Sequence, residues 1–165
     1  LAGRALLAEV AGFSCLASPL ARALETARLL GLAPAQDARL VEMDWGDYEG
    51  RRLAEIQAEA GSSFTENQAR GLDFTPPGGE SPRRVQTRLK PLLSEIAARG
   101  KATLAVTHRG VIRALYALAT FWDMKSDPPH VLDLYALHLF ALDARGQPHV
   151  VRLNLALVAR DPVAR

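Results

Sequence analysis

One unit occurs twice in this chain and constrains its fold more than any other feature: a short apolar run, a tight turn carrying a cationic side chain, and then a helix. Phe13-Ser14-Cys15-Leu16-Ala17 reads as a buried strand, and Ser18-Pro19 opens a helix behind it that ends naturally at Gly31. Ala102-Thr103-Leu104-Ala105-Val106-Thr107 reads as a second buried strand, which His108-Arg109-Gly110 turns into a helix from Val111 to about Phe121. Strands feeding helices in this way build layered α/β domains. The expected fold is therefore α/β, a three-layer sandwich with a mostly parallel sheet flanked by helices. At 165 residues, one domain covering 1–165 is expected.

The segments between these units are punctuated clearly. Leu40-Val41 is a candidate short strand, followed by the turn-rich Asp44-Trp45-Gly46-Asp47-Tyr48-Glu49-Gly50. A short helix is expected from about Arg52 to Ala60, then a capping box at Ser63-Phe64-Thr65-Glu66. Thr75-Pro76-Pro77-Gly78-Gly79 must be loop. Ser81-Pro82 caps the clearest amphipathic helix, with Val85, Leu89, Leu92, Leu93 and Ile96 at helical spacing and Gly100 as its stop. The helix after His108 is apolar almost all round, which predicts an interior position against the sheet. Two closing runs, Leu134 to Leu142 and Val150 to Leu157, flank a turn at 143–147 and read as a hairpin. Its edge is one that a second copy of the chain could pair with, so a homodimer stays open. The opening residues, Leu1 to Val10, read as helix.

Composition excludes several functions. Twenty Lys+Arg against eighteen Asp+Glu leave a net charge of +2 spread along the chain, which gives no footprint for nucleic acid. Cys15 is the single cysteine, so an internal disulfide is impossible and a reducing, cytoplasmic setting is the simpler expectation. No apolar run approaches the roughly 18 residues of a membrane span. The histidines at 108, 130, 138 and 149 show no metal-ligand spacing, and His138 reads as a packed strand residue. Nucleophile-elbow, P-loop and dinucleotide-binding fingerprints are absent. Neither a metal nor a cofactor is expected.

In open α/β sheets ligands bind at the carboxyl ends of strands, and three such places carry unusual chemistry. Arg22 lies in the first turn of its helix, where a cation is disfavoured by about 0.3–1 kcal/mol unless an anion sits nearby. That points to an anion site; a side chain swung into solvent is the plainer alternative. His108-Arg109-Gly110 places a second potential cation at a helix N-terminus, where backbone N–H groups bind phosphate. The alternative is a histidine that only caps its strand. Glu42, directly after Leu40-Val41, is a candidate general acid, with Asp44, Asp47 and Glu49 competing for the role. Glu80, beside the cap Ser81, either complements the helix dipole or faces the pocket. Cys15 stands one position too far from Arg22 for the cysteine-dependent phosphatase spacing and reads as core.

In this order, Ser18-Pro19-Leu20-Ala21-Arg22-Ala23-Leu24-Glu25-Thr26-Ala27, Glu42 to Gly50, Pro77-Gly78-Gly79-Glu80-Ser81 and Val106-Thr107-His108-Arg109-Gly110-Val111-Ile112-Arg113 resemble the histidine phosphatase superfamily, the phosphoglycerate mutase-like enzymes. The resemblance implies a phosphoglycerate mutase-like fold and a phosphatase acting on a small phosphoester through a phosphohistidine. Arg22 matches the phosphate-binding arginine, His108 the second active-site histidine, and Glu42 the proton donor to the leaving group. Backbone N–H groups around Arg109 and Gly110 would complete the phosphate cradle, and Glu80 would lie near the pocket. The short interval from Glu42 to Glu80 leaves no room for the insertion that mutases carry, which favours hydrolysis over a mutase-type phosphotransferase. One departure is plain: the sequence contains no Arg-His-Gly, the motif that carries the nucleophile at the end of the first strand. The expectation is that this strand precedes Leu1 in the whole protein. A chain that lacks it would be a non-catalytic phosphate-binding module, or would need another chain to fill the gap.

Overall fold

The computed structural model describes residue 10 and residues 12–157. The helix expected over Leu1 to Val10 lies outside these residues, apart from Val10, which sits in a turn. The first strand-to-helix unit is β1 (Ser14–Ala17) followed by α1 (Ala21–Leu29). The second is β3 (Thr103–Val106) followed by α5 (Arg109–Thr120). With β2 (Ala35–Gln36) the strands make a parallel sheet of order β2-β1-β3, in register from Ser14 opposite Thr103 to Ala17 opposite Val106. The Ser18 N–H donates to Val106 O at 3.0 Å and the Asp37 N–H to Ala17 O at 2.9 Å, so the ladder runs to the ends of the strands. This in-register pairing sets the turns after β1 and β3 side by side. The α/β class, with a parallel sheet and flanking helices, is as the sequence implied.

Three helices separate the two units: α2 (Leu53–Ala60), α3 (Ser62–Gln68) and α4 (Pro82–Arg99). The long α4 starts as expected, with Ser81 Oγ accepting the Arg84 N–H at 3.2 Å and Pro82 at the first position. It ends at Gly100, whose φ of +60° suits a residue without Cβ. Its apolar stripe buries Val85, Leu89, Leu92 and Leu93, each contributing about 1.5–3 kcal/mol relative to exposure. Trp45 and Tyr48 of the loop over 42–50 pack in the same cluster on Phe74 and Phe64, which meet edge to face.

Two local expectations are corrected. Leu40-Val41 is not a strand: Ala38–Leu40 forms a 3-10 turn, and the strand lies earlier, at β2. Asp37 drives the turn by accepting the Arg39 N–H at 2.9 Å on the carboxylate that also holds the Arg39 guanidinium. The capping box at Ser63–Glu66 is also absent. Gly61, at φ +53°, joins α2 directly to α3, and Ser63 Oγ donates back to Ala60 O at 2.7 Å. A reciprocal contact occurs one helix earlier, where Glu55 accepts the Arg52 N–H at 3.2 Å.

The closing hairpin pairs β4 (Leu137–Leu142) with β5 (Pro148–Leu155) in a separate antiparallel sheet. The apolar α5 is interior, as expected, but its main neighbours are α4 and β5 rather than the parallel sheet. Val111 and Ala114 join the α4 cluster, while Tyr116 and Ala117 meet Trp122, Phe140, Val150 and Leu153. The central strand β1 carries Cys15, half-buried, its thiol pKa pushed up by burial.

Candidate active site

The parallel register brings two cationic turns, some ninety residues apart in sequence, into one place. Arg22 Nε donates to His108 Nδ1 at 3.2 Å, and the other ring nitrogen, Nε2, lies 2.8 Å from Ser18 Oγ. Since Nδ1 accepts from a cation, the proton of the neutral ring belongs on Nε2, which donates to the serine. Ser18 is fully buried and His108 is 6% exposed. Burial, with Arg22 and then Arg88 nearby, pushes the His108 pKa down to about 4. The ring is therefore neutral at pH 7. Arg22 itself is exposed on one side, so the pair reaches from the interior to solvent.

Glu42 stands beside this pair at the N-terminus of α5. Its Oε1 accepts the Gly110 N–H and the Met43 N–H, each at 2.9 Å. No described residue donates to Oε2. The Gly110 N–H, expected in a phosphate cradle, is thus taken by Glu42, because a carboxylate placed against the first turn of a helix satisfies an orphan donor and the dipole together. Only glycine allows this approach. A Cβ at position 110 would lie 2.5 Å from Glu42 Oε1 and 2.9 Å from Met43 Cβ. Asp44, Asp47 and Glu49 hold turn positions instead: Asp44 Oδ1 accepts the Gly46 N–H at 2.8 Å, and Glu49 accepts the Trp45 N–H at 3.2 Å.

A cleft of about 300 Å³ adjoins Glu42 and is lined by Val41, Asp44, Gly79, Glu80 and Arg84 among others. The loops on its two sides are laced by backbone bonds, Asp47 N–H to Pro77 O at 2.9 Å and Glu80 N–H to Asp44 O at 2.8 Å. Gly79 packs so closely on this seam that a Cβ there would sit 2.5 Å from Asp44 O. Glu80 lines this cleft, which neither Arg22 nor His108 lines, and its carboxylate is closed on Arg88 through bonds of 2.9 and 3.0 Å. Arg83, in the first turn of α4, forks onto Asp73 at 2.6 and 2.9 Å, and the pair is half exposed.

Sequence reasoning did not single out three groups. Ser18 was read as a helix start and is the hydrogen-bond partner of His108. Thr107 Oγ1 donates to Leu40 O at 2.8 Å, tying the end of β3 to the segment before Glu42. Arg88 binds Glu80 and the main chain ahead of Glu42. Its signal was present, for Arg88 falls between Val85, Leu89 and Leu92 on the apolar stripe of α4, where a charge needs a partner. Among the described residues no group of three or more His, Cys, Asp and Glu side chains could hold a metal. No helix there is long and apolar enough to cross a membrane.

With this geometry in hand, comparison with known proteins is decisive at family level. The profile of the histidine phosphatase superfamily, branch 1, matches residues 2–156. The chain belongs to that superfamily. A 2,3-bisphosphoglycerate-dependent phosphoglycerate mutase of Azorhizobium caulinodans is 35% identical over 69% of this chain and 61% of its own length. A fructose-2,6-bisphosphatase of Saccharomyces cerevisiae is 34% identical over 61% of this chain and 22% of its own length. This superfamily chain thus spans about three-fifths of the mutase. Among solved structures, mycobacterial glucosyl-3-phosphoglycerate phosphatase Rv2419c with inorganic phosphate superposes with a TM-score of 0.78 at 24% identity, covering 94% of this chain and 83% of that one. That likeness shows the fold alone. Bacillus stearothermophilus YhfR gives 0.75 at 29% identity, covering 90% and 76%.

Proposed function

We propose that this superfamily member works as a metal-independent phosphatase on a small phosphoester, with Arg22 and His108 holding the phosphoryl group and Glu42 protonating the leaving oxygen. The observation that carries the reading is the meeting of Arg22 and His108 at 3.2 Å beside a carboxylate held on the α5 N-terminus. Phosphoryl transfer is mostly a matter of positioning and of stabilising oxygen charge. A phosphate dianion between Arg22 and His108 would draw a proton toward the ring by offsetting Arg22 and Arg88, working against burial, the larger cause of its low pKa. An Nδ1–H gained in this way and the guanidinium then face developing negative charge while the Nε2–H stays on Ser18, with Arg109 and the α5 N-terminus adding further positive potential.

In this reading the phosphohistidine forms on none of the histidines at 108, 130, 138 and 149. His108 has both ring nitrogens engaged, His130 is held by Tyr116, and His138 and His149 lie on the hairpin. The names of the relatives, a bisphosphoglycerate-dependent mutase and a fructose-2,6-bisphosphatase, support phosphoryl chemistry on small metabolites. The short Glu42-to-Glu80 interval favours the hydrolase. A second reading is a phosphate-binding module without turnover, which needs only the Arg22–His108 pair at the N-terminus of α5.

Two measurements separate these readings. Inorganic phosphate or vanadate is expected to bind the chain as given, and Arg22→Ala to abolish binding; no binding by the unaltered chain would remove both readings. Protein carrying an Arg-His-Gly segment ahead of Leu1 is expected to release phosphate from a panel of phosphoesters. Binding without release from any of them would leave the binding module.

A further inference from the structure

We propose that Arg88 is a positioning residue for Glu42 and that Glu80 serves as its counter-ion rather than as a group of the pocket; the inference rests on the reading of Glu42 as the proton donor. Residues 41–45 lie outside regular secondary structure, so no ladder fixes the register of the segment that delivers Glu42. Its carbonyls find partners elsewhere. Arg88 donates through Nη1 to Arg39 O, and through Nη2 to Val41 O at 2.7 Å and, more weakly, to Glu42 O at 3.4 Å. Thr107 takes the intervening Leu40 O, and the Glu80 N–H takes Asp44 O. One guanidinium therefore grips the main chain on both sides of Leu40 and at Glu42 itself.

Glu80 fixes that guanidinium. Its two carboxylate oxygens accept from Nε and Nη2, and both side chains are largely shielded, 22% exposed for Arg88 and 15% for Glu80. The planar fork of arginine can meet a carboxylate on one edge and carbonyls on the other; a lysine ammonium, being a single point, cannot span both. Arg88 lies on α4, packed along its whole apolar stripe, so the grip is anchored to a rigid element. A second tie from the same helix runs through Glu95, which binds the Arg39 guanidinium at 2.7 and 2.9 Å. Arg88 touches no reacting atom. It acts by holding the backbone from which the Glu42 side chain reaches the Gly110 N–H.

The test reads that last bond directly. The Gly110 amide proton, donated to a carboxylate, resonates at low field and reports the Glu42 position by NMR in this chain, with Glu42→Ala as the reference for its loss. Arg88→Lys and Glu80→Gln are both expected to move the Gly110 and Met43 amides toward the Glu42→Ala positions, while amides of β5 stay in place as the check on folding. A Gly110 amide unmoved in both variants overturns the proposal.

Turnover, measured in protein carrying an Arg-His-Gly segment ahead of Leu1, separates this proposal from the reading beneath it. If Glu42 is the proton donor, Glu42→Gln slows hydrolysis of alkyl phosphates far more than that of 4-nitrophenyl phosphate, whose leaving group needs little protonation. Arg88→Lys is then expected to show the same selectivity, with kcat on alkyl phosphates down roughly 10- to 100-fold and KM little changed. Equal losses on both substrates in Glu42→Gln would sink the proton-donor reading. Selective loss in Glu42→Gln beside uniform loss in Arg88→Lys would sink the positioning role alone.

Discussion

Replacing Gly110 by alanine tests the site at its tightest point. The added Cβ would lie 2.5 Å from Glu42 Oε1, against an ordinary contact that begins at 3.4 Å, so the carboxylate must retreat by about 0.9 Å. That retreat stretches the 2.9 Å bonds from the Gly110 and Met43 N–H groups past useful length. Hydrogen bonds to a charged acceptor are worth about 1.5–3 kcal/mol each, though water reaches the half-buried Glu42 and recovers part of this. Alanine in place of glycine near a helix start returns about 0.5–1 kcal/mol. The balance is a loss of about 1–2 kcal/mol, which for a chain of this length lowers Tm by roughly 3–8 °C. Thermal unfolding of Gly110→Ala, alone and in a Glu42→Ala background, measures it. Removing the carboxylate should abolish at least half of the loss, the remainder being the Met43 contact. A Gly110→Ala protein as stable as its parent, or an equal loss in both backgrounds, would refute the argument.

His108 should make stability fall on acidification. Its folded pKa, about 4, lies below the ordinary 6.5, so above pH 6.5 neither state binds the proton and the group contributes no slope. Between 6.5 and about 4 the unfolded chain binds a proton that the folded one refuses, and stability drops by up to about 3 kcal/mol. Denaturant titrations across that range should show the slope and its disappearance in His108→Asn; an identical slope in the variant would exclude His108 as its source. Tyr116→Phe is expected to cost about 1–2 kcal/mol by urea unfolding, because the fully buried Tyr116 hydroxyl accepts the His130 N–H at 2.9 Å and pairs with His130 Nδ1 at 2.9 Å. An unchanged midpoint would mean that the loop over 123–136 gains nothing from that anchor.

The sequence was most informative where local chemistry and burial agreed. Ser81-Pro82, the stripe from Val85 to Leu93 and Gly100 each act through their own turn or their own helix face, so α4 could be bounded nearly to the residue. The same holds for the hairpin turn at 143–147. It failed at Leu40-Val41 because an apolar pair does not reveal whether a ladder is within reach. The answer depended on Asp37 and Arg39 closing a 3-10 turn and on Glu95, a distant residue on α4, completing their ion cluster. It failed at Ser63 because Gly61 at positive φ reverses the chain just before the serine could cap.

The candidate site divides in the same way. Arg22, His108 and Gly110 were legible as chemical oddities at strand-to-helix turns, since a cation in a helix's first turn and a glycine at such a turn each break a local preference, whereas Glu42 was singled out from Asp44, Asp47 and Glu49 only by the family resemblance. The sequence by itself determined the α/β class, the two strand-to-helix units and the family pattern, all of which rest on periodicity and on residues acting within a few positions of themselves. Only the tertiary structure decided that His108 is neutral between Arg22 and Ser18. Only there does Glu42 take the Gly110 N–H, and only there does Arg88 hold the segment that carries Glu42. These are contacts between residues 46 to 90 positions apart, and their energies come from desolvation and from directional bonds that exist only once the parallel register and the α4 packing have fixed where each group stands.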